Sequence, residues 1–209
     1  MDAKRINPVW ISSYPRSGNT FFRQVLNHCF GVGSTSFYEE DRIADMPGAD
    51  MGFMKTHEDP MRLLGSGVYI LRDGRDVMVS LAHYRMKFHP VDAERRFSDV
   101  LTECVEEIGG GCWAHHVTQA IKREFPIIKY EAMVKEPASA VSHVCSKIYD
   151  MDICFRGARP LPEFSTFHHD QPEFYRKGKV ECWREEMPES IRQRFMDLHG
   201  DTLRKAGYV

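Results

Sequence analysis

Short apolar runs alternate along the chain with longer segments in which apolar residues recur every three or four positions. The short runs predict buried strands at 9–13, 52–55, 68–71 and 126–130. The longer segments predict helices at 20–30, 75–88, 97–108, 113–125, 138–149 and 188–205. This alternation predicts an α/β fold in which helices cover both faces of a central, mostly parallel sheet. Ligands of such sheets bind beyond the carboxyl ends of the strands.

Composition narrows the classes of function. A chain of 209 residues is long enough for one large domain, and we expect a single domain over 1–209. The net charge of −2 argues against a general nucleic-acid binder. No run reaches membrane-spanning length and the first residues lack the apolar core of a signal peptide, so we expect a cytoplasmic protein without a membrane anchor. The six cysteines form no CxxC pair, which favours reduced thiols over a disulfide frame or a zinc site.

The loop after the first strand is a candidate anion site. The strand breaks at Tyr14-Pro15, and the chain turns through residues 16–19 into an apolar helix. Free N–H groups of the loop and first helical turn, the helix dipole and the charge of Arg16 all favour a bound anion. A Walker A loop would require Lys-Ser/Thr directly after the second glycine, whereas Asn19-Thr20 follows Gly18. A plain strand-turn-helix remains the alternative interpretation.

A second candidate anion site follows the strand at 68–71. Arg72 ends that strand, and Ser80 lies eight residues further, inside the next predicted helix. An arginine fork and a hydroxyl can together hold a terminal phosphate. In the alternative interpretation Arg72 forms an ion pair with Asp76 that caps the helix, and Ser80 only packs.

Two further motifs carry candidate chemistry. Lys55-Thr56-His57 ends a short predicted strand, where the imidazole could take a proton from an alcohol and the lysine could stabilise developing negative charge. The basic run at 175–179 lies in an irregular stretch, 154–179, that could close over an anionic ligand. A structural histidine and a solvated basic surface are the respective alternatives.

Taken together in their order along the chain, these four motifs resemble those of the cytosolic-type sulfotransferases that use 3′-phosphoadenosine-5′-phosphosulfate (PAPS). Residues 14–21 are similar to the family's 5′-phosphosulfate loop, whose usual pattern is Tyr-Pro-Lys-Ser-Gly-Thr-Thr-Trp. Arg72 and Ser80 match an arginine and a serine at the family's eight-residue spacing, and residues 55–57 match its Lys-Thr-His. The resemblance extends from residue 9 to about 184 and implies a P-loop-like three-layer αβα fold.

The resemblance also assigns roles to matching residues. Those implied at the 5′-phosphosulfate are Arg16, Ser17, Gly18, Asn19 and Thr20. Those implied at the adenine are Phe21, Tyr130, Thr166 and Phe167. Those implied at the 3′-phosphate are Arg72, Ser80, Arg176, Lys177 and Gly178. His57 is implied as the catalytic base, with Lys55 and Arg16 stabilising charge on the transferring group.

The expected enzyme is therefore a transferase that moves a sulfuryl group from PAPS to a hydroxyl or amine, releasing adenosine-3′,5′-bisphosphate (PAP). The acceptor is expected to be a small molecule or a glycan, and the sequence does not decide between them. No metal is expected to take part. A homodimer that completes the acceptor pocket also stays open. The alternative function is a P-loop-type kinase or nucleotide-binding module, which would need a Lys-Ser/Thr after the loop glycine and an aspartate-ended strand for magnesium.

Overall fold

The structure, a computed structural model, describes residues 8–38, 49–88, 95–107, 109, 111–148, 161 and 178–209. Five strands form one sheet: β1 (Val9–Ser13), β2 (Val32–Ser36), β3 (Ala49–Thr56), β4 (Gly67–Leu71) and β5 (Ile127–Lys129). Their order is β2-β3-β1-β4-β5, and every neighbouring pair is parallel. Because the order reverses at β1, its carboxyl end marks the switch point where ligands of such sheets bind.

The chain divides into two compact units, and the sheet belongs to the first, Met1–Leu71 with Ala120–Glu163. In this unit α1 (Asn19–Phe30), α5 (Tyr130–Lys135) and α6 (Pro137–Ser146) pack with the strands. The shared core is apolar, with Ile11 and Val68 of the sheet and Phe22, Leu26 and Val144 of the helices all buried. The loop 14–18 connects the end of β1 to the start of α1.

The second unit comprises Arg72–Gln119 with Phe164–Val209. Its described helices include α2 (Gly74–Phe88), α3 (Phe97–Glu106), α7 (Trp183–Glu186) and α8 (Glu189–Lys205). The helix α4 (Trp113–Lys122) runs from this unit into the first. Gly74 lets the start of α2 approach the rings of Trp113 and Phe195, since a Cβ there would lie 2.7 Å from Phe195 Cζ. The expectation of a single domain over 1–209 stays a prediction.

Most of the predicted elements are present, and the parallel sheet is confirmed. Two differences have clear physical reasons. The edge strand β2, with sequence VGSTS, has a single large apolar residue and therefore lacked a strand signal. The predicted strand at 126–130 ends one residue earlier, because Tyr130 is the first residue of α5.

Candidate active site

The candidate active site begins at the carboxyl edge of the sheet. Because all five strands are parallel, their last residues lie along the same edge. Ser13 ends β1, Ser36 ends β2 and Thr56 ends β3, so the loop after β1, Tyr38 and His57 all follow strands that end here. Phe37 N–H donates to the carbonyl of Lys55 at 2.9 Å and extends the pairing of β2 with β3 beyond the strand.

The loop between β1 and α1 has an unusual backbone. Arg16 and Gly18 both have positive φ, at 66° and 101°, so the chain winds tightly before the helix starts. Ser17 N–H donates to the carbonyl of Tyr14 at 3.2 Å and closes the turn. A Cβ at Gly18 would lie 2.5 Å from the ring of Tyr130, so only glycine fits at this position. Tyr130, which the resemblance places at the adenine, therefore also packs against this loop.

The N-terminus of α1 suits an anion. Among the described residues no side chain caps this helix end, and its first turn contains no acidic residue. The first N–H groups of a helix have no partner within the helix and carry the positive end of its dipole. With Arg16 in the preceding loop, this helix end fits the 5′-phosphosulfate that the sequence predicts there.

His57 is held in one tautomer by the end of β1. Its Nδ1 lies 2.7 Å from the carbonyl oxygen of Ser13 and 3.3 Å from the Ser13 hydroxyl. A carbonyl oxygen only accepts, so Nδ1 carries the proton and donates it. Nε2 then keeps its lone pair, which is the state that a general base needs.

Tyr38 holds His57 from the opposite side. Its hydroxyl accepts the backbone N–H of His57 at 2.9 Å and lies 3.4 Å from Glu58 Oε1. The two rings are nearly parallel, with centroids 6.1 Å apart and planes at 20°. Burial raises the pKa of Tyr38 above its ordinary value, so the hydroxyl keeps its proton. Nothing in the sequence indicated Tyr38, because its contact with His57 depends on the strand β2, which was not predicted.

Lys55 lies on β3 and is 6% exposed. It is paired in register with Ile11 of β1 on one side and with Ser36 of β2 on the other. The role of Lys55 in stabilising an anion at this edge stays a prediction.

In the second unit Arg72 lies beside the segment that follows the basic run. Arg72 Nη2 donates to the carbonyl of Lys179 at 3.3 Å, which brings this arginine next to Gly178. Both were predicted at the 3′-phosphate, although 106 positions separate them in the sequence. Arg72 also lies 3.9 Å from Asp76, so the ion pair of the alternative interpretation is present as well.

Asp76 anchors the same segment to α2. Its Oδ2 accepts the backbone N–H of Glu181 at 2.8 Å, and its Oδ1 accepts that of Trp183 at 2.9 Å. Burial raises the pKa of Asp76, although Arg72 and these two N–H donors oppose the shift. The sequence suggested Asp76 only as an ion-pair partner, since nothing in its spacing indicates contacts about 105 residues away.

The remaining predicted residues stand as follows. Ser80 is buried on α2, and Phe21 makes an edge contact with Tyr130 at a centroid distance of 6.3 Å. The predicted residues outside the described part of the chain are Thr166, Phe167, Arg176 and Lys177.

Within the part of the chain that the structure describes, no helix is both long and apolar enough to cross a membrane.

Comparison with known proteins agrees with these observations. A model of the sulfotransferase domain family matches residues 53–147. The amine sulfotransferase of Oryctolagus cuniculus is 20% identical, over 91% of this chain and 79% of its own length. Sulfotransferase 1E1 of Rattus norvegicus is 22% identical, over 91% of this chain and 81% of its own length.

Solved structures share the fold. Mouse sulfotransferase SULT7A1, complexed with PAP, superposes with a TM-score of 0.69 at 20% identity, over 98% of this chain and 86% of its own. Retinol dehydratase, in complex with androsterone and inactive cofactor PAP, gives 0.62 at 18% identity, over 94% of this chain and 80% of its own. The three-layer α/β prediction is thereby confirmed. The family model over residues 53–147, and two sulfotransferases that each match over 91% of the chain, show its similarity to the PAPS-dependent sulfotransferases.

Proposed function

We propose that this protein transfers the sulfuryl group of PAPS to a hydroxyl or amine of a small molecule or glycan, with His57 as the general base. The observation that carries the proposal is the 2.7 Å contact between His57 Nδ1 and the Ser13 carbonyl. With the proton on Nδ1, Nε2 is the ring nitrogen that can accept a proton. Both solved structures described above contain PAP, which supports PAPS as co-substrate and PAP as product.

The residues divide the work by their chemistry. PAPS supplies the sulfuryl group and departs as PAP. His57 Nε2 takes the proton as the acceptor oxygen bonds to sulfur, and the electron pair of the broken S–O bond goes to the 5′-phosphate. Arg16 and Lys55 stabilise the charge that grows on these oxygens, and the loop N–H groups with Thr20 hold the phosphate. His57 therefore takes the one proton that the acceptor releases in this transfer.

At the 3′-phosphate we assign Arg72, Ser80 and the N–H of Gly178, together with Arg176 and Lys177. The supporting observation is that Arg72 already contacts Lys179, the residue after Gly178. Adenine contacts from Phe21, Tyr130, Thr166 and Phe167, a cytoplasmic location and a homodimer remain predictions of the sequence.

Turnover with PAPS tests the proposal directly. Phenols, alcohols, amines and sugars are screened with PAPS, and PAP and the sulfated product are both quantified. His57→Ala should lower kcat by about 10²–10⁴, because the proton acceptor is lost, and leave PAP affinity unchanged. His143→Ala, which removes an exposed imidazole from α6, is the matched control and should keep the wild-type rate.

Two outcomes contradict this assignment. A His57→Ala protein that keeps wild-type rates on every accepted substrate removes His57 from the chemistry. ATP consumption with phosphorylated product, in place of PAP release, supports the kinase alternative instead.

A further inference from the structure

We propose that Asn19 and Ser13 form a positioning pair that keeps His57 in its proton-accepting tautomer, so that Asn19 acts through the base and not through its side chain on the nucleotide. This inference rests on the proposed role of His57. It gives Asn19, which the resemblance places among the 5′-phosphosulfate residues, a second task for its amide group.

The Asn19 amide points away from the loop and back towards β1. Its Nδ2 donates to the carbonyl of Ile11 at 2.8 Å and to the Ser13 hydroxyl at 3.1 Å. An amide nitrogen has two protons, and these two contacts use both. The orientation is fixed, because a flipped amide would place its oxygen against the Ile11 carbonyl. Asn19 is 4% exposed, so water does not compete for these bonds.

The contact with Asn19 decides what the Ser13 hydroxyl can do. This hydroxyl is fully buried and lies 3.3 Å from His57 Nδ1. The hydrogen bond from Asn19 occupies one lone pair of the hydroxyl oxygen and leaves the other for a second donor. Nδ1–H of His57 then meets two acceptors, the carbonyl and the hydroxyl oxygen of Ser13. A serine hydroxyl released from Asn19 could rotate and donate to Nδ1, which favours the opposite tautomer with a proton on Nε2.

The amide is needed for this arrangement. The usual family pattern has threonine at the position of Asn19, and a threonine hydroxyl carries a single proton. It cannot donate at the same time to a carbonyl and to a serine hydroxyl. The Oδ1 atom of Asn19 is buried without a hydrogen-bond partner among the described residues, so its anchoring contacts are those of Nδ2. The backbone N–H of Asn19 is one of the first N–H groups of α1, and such groups can bind an anion at the helix N-terminus.

The test compares Asn19→Ala, Asn19→Thr and Ser13→Ala with Asn27→Ala, which removes the same side chain further along α1. We expect kcat to fall roughly tenfold in Asn19→Ala and Asn19→Thr, well short of the about 10²–10⁴ for loss of the base. Ser13→Ala should lose less, because the carbonyl acceptor of Nδ1 remains and no hydroxyl is left to donate to it. KM for PAPS and the Kd of PAP should stay at their wild-type values, and Asn27→Ala should match wild type. The Asn19→Ala/Ser13→Ala double variant should lose less than Asn19→Ala alone, because the hydroxyl that would donate to Nδ1 is gone.

Nitrogen-15 spectra of labelled histidine provide a readout that does not depend on turnover. The His57 signals are identified by their loss in His57→Ala. Wild type should show a protonated Nδ1 and an unprotonated Nε2, and Asn19→Ala should show a larger fraction of the opposite tautomer. If no acceptor is turned over but this tautomer shift occurs, the proposed function fails and the positioning pair stands. An unchanged tautomer, or a raised Kd for PAP with kcat intact, overturns the pair.

Discussion

Gly18 lets the loop between β1 and α1 pack closely against the ring of Tyr130. Its φ of 101° belongs to the left-handed region, where a side chain is strained. The ring of Tyr130 occupies the place of the missing Cβ, at 2.5 Å for its Cδ2 atom. Arg16, two residues earlier, adopts φ 66° with a full side chain, so the loop already stores strain at one position. The chain can therefore absorb little more at Gly18.

Gly18→Ala should destabilise the protein and weaken PAP binding, since both backbone strain and the clash with Tyr130 displace the loop. We expect a loss of about 1–3 kcal/mol in the free energy of unfolding, measured by urea denaturation. Gly52→Ala is the matched control, because its φ is also positive at 71° but nothing lies within 4 Å of the added Cβ. The control should lose less stability and keep its PAP affinity. Equal losses in the two variants, with equal PAP affinities, would contradict the role of the Tyr130 contact.

Residue types and spacing led to the prediction that His57, Lys55 and the loop belong to the site, because those signals are local. The turn of the Asn19 amide towards Ile11 and Ser13 could not be predicted, since it depends on how closely α1 follows β1. Contacts between distant segments leave no periodic trace in a single sequence.

At the scale of elements, four of the five strands of the sheet had a signal in the sequence and β2 had none. The apolar runs of β1 and β4 were predicted correctly, and both lie in the middle of the sheet. β2 is an edge strand of glycine, serine and threonine, so it was missed, and Tyr38 was missed with it. Tyr130, the first residue of α5, was included in the predicted strand because aromatic and β-branched residues such as Tyr130, Ile127 and Ile128 suit a strand.

The junction between α2 and α7 depends on one buried carboxylate. Asp76 accepts the N–H groups of Glu181 and Trp183, just before and at the start of α7. Arg72 binds the carbonyl of Lys179 in the same segment. Two side chains near the start of α2 thus hold the backbone that follows Gly178, which we assign to the 3′-phosphate.

Asp76→Asn should loosen this segment, because an amide has one acceptor and directs its NH₂ group at the second backbone N–H. Loss of a charge-assisted hydrogen bond, about 1.5–3 kcal/mol, should speed hydrogen exchange at the Glu181 or Trp183 amide roughly ten- to a hundredfold. PAP affinity should fall as well. Asp201→Asn, on the exposed face of α8 beside Arg204, is the control and should change neither measurement. Unchanged exchange at both amides would remove Asp76 as the anchor.

For the whole molecule, a net charge of −2 does not exclude a site for an anion, because each unit contains a buried cationic side chain. Lys55 is buried in the first unit and Arg72 in the second. An anionic ligand that meets such groups binds the folded chain and not the unfolded one. Binding should therefore appear as added stability of the whole protein.

PAP should accordingly raise the unfolding free energy by about 2.7 kcal/mol at a free concentration 100 times its Kd. AMP lacks the 3′-phosphate and ATP carries its extra phosphates at the other end, so at equal concentration each should raise the thermal midpoint less than PAP does. Arg72→Ala removes one charge-assisted contact, worth about 1.5–3 kcal/mol, and should weaken PAP roughly ten- to a hundredfold while leaving AMP unaffected. Arg204→Ala, on the exposed surface of α8, should respond to PAP as wild type does. Equal stabilisation by PAP and AMP in the wild-type protein would show that it has no dedicated 3′-phosphate site.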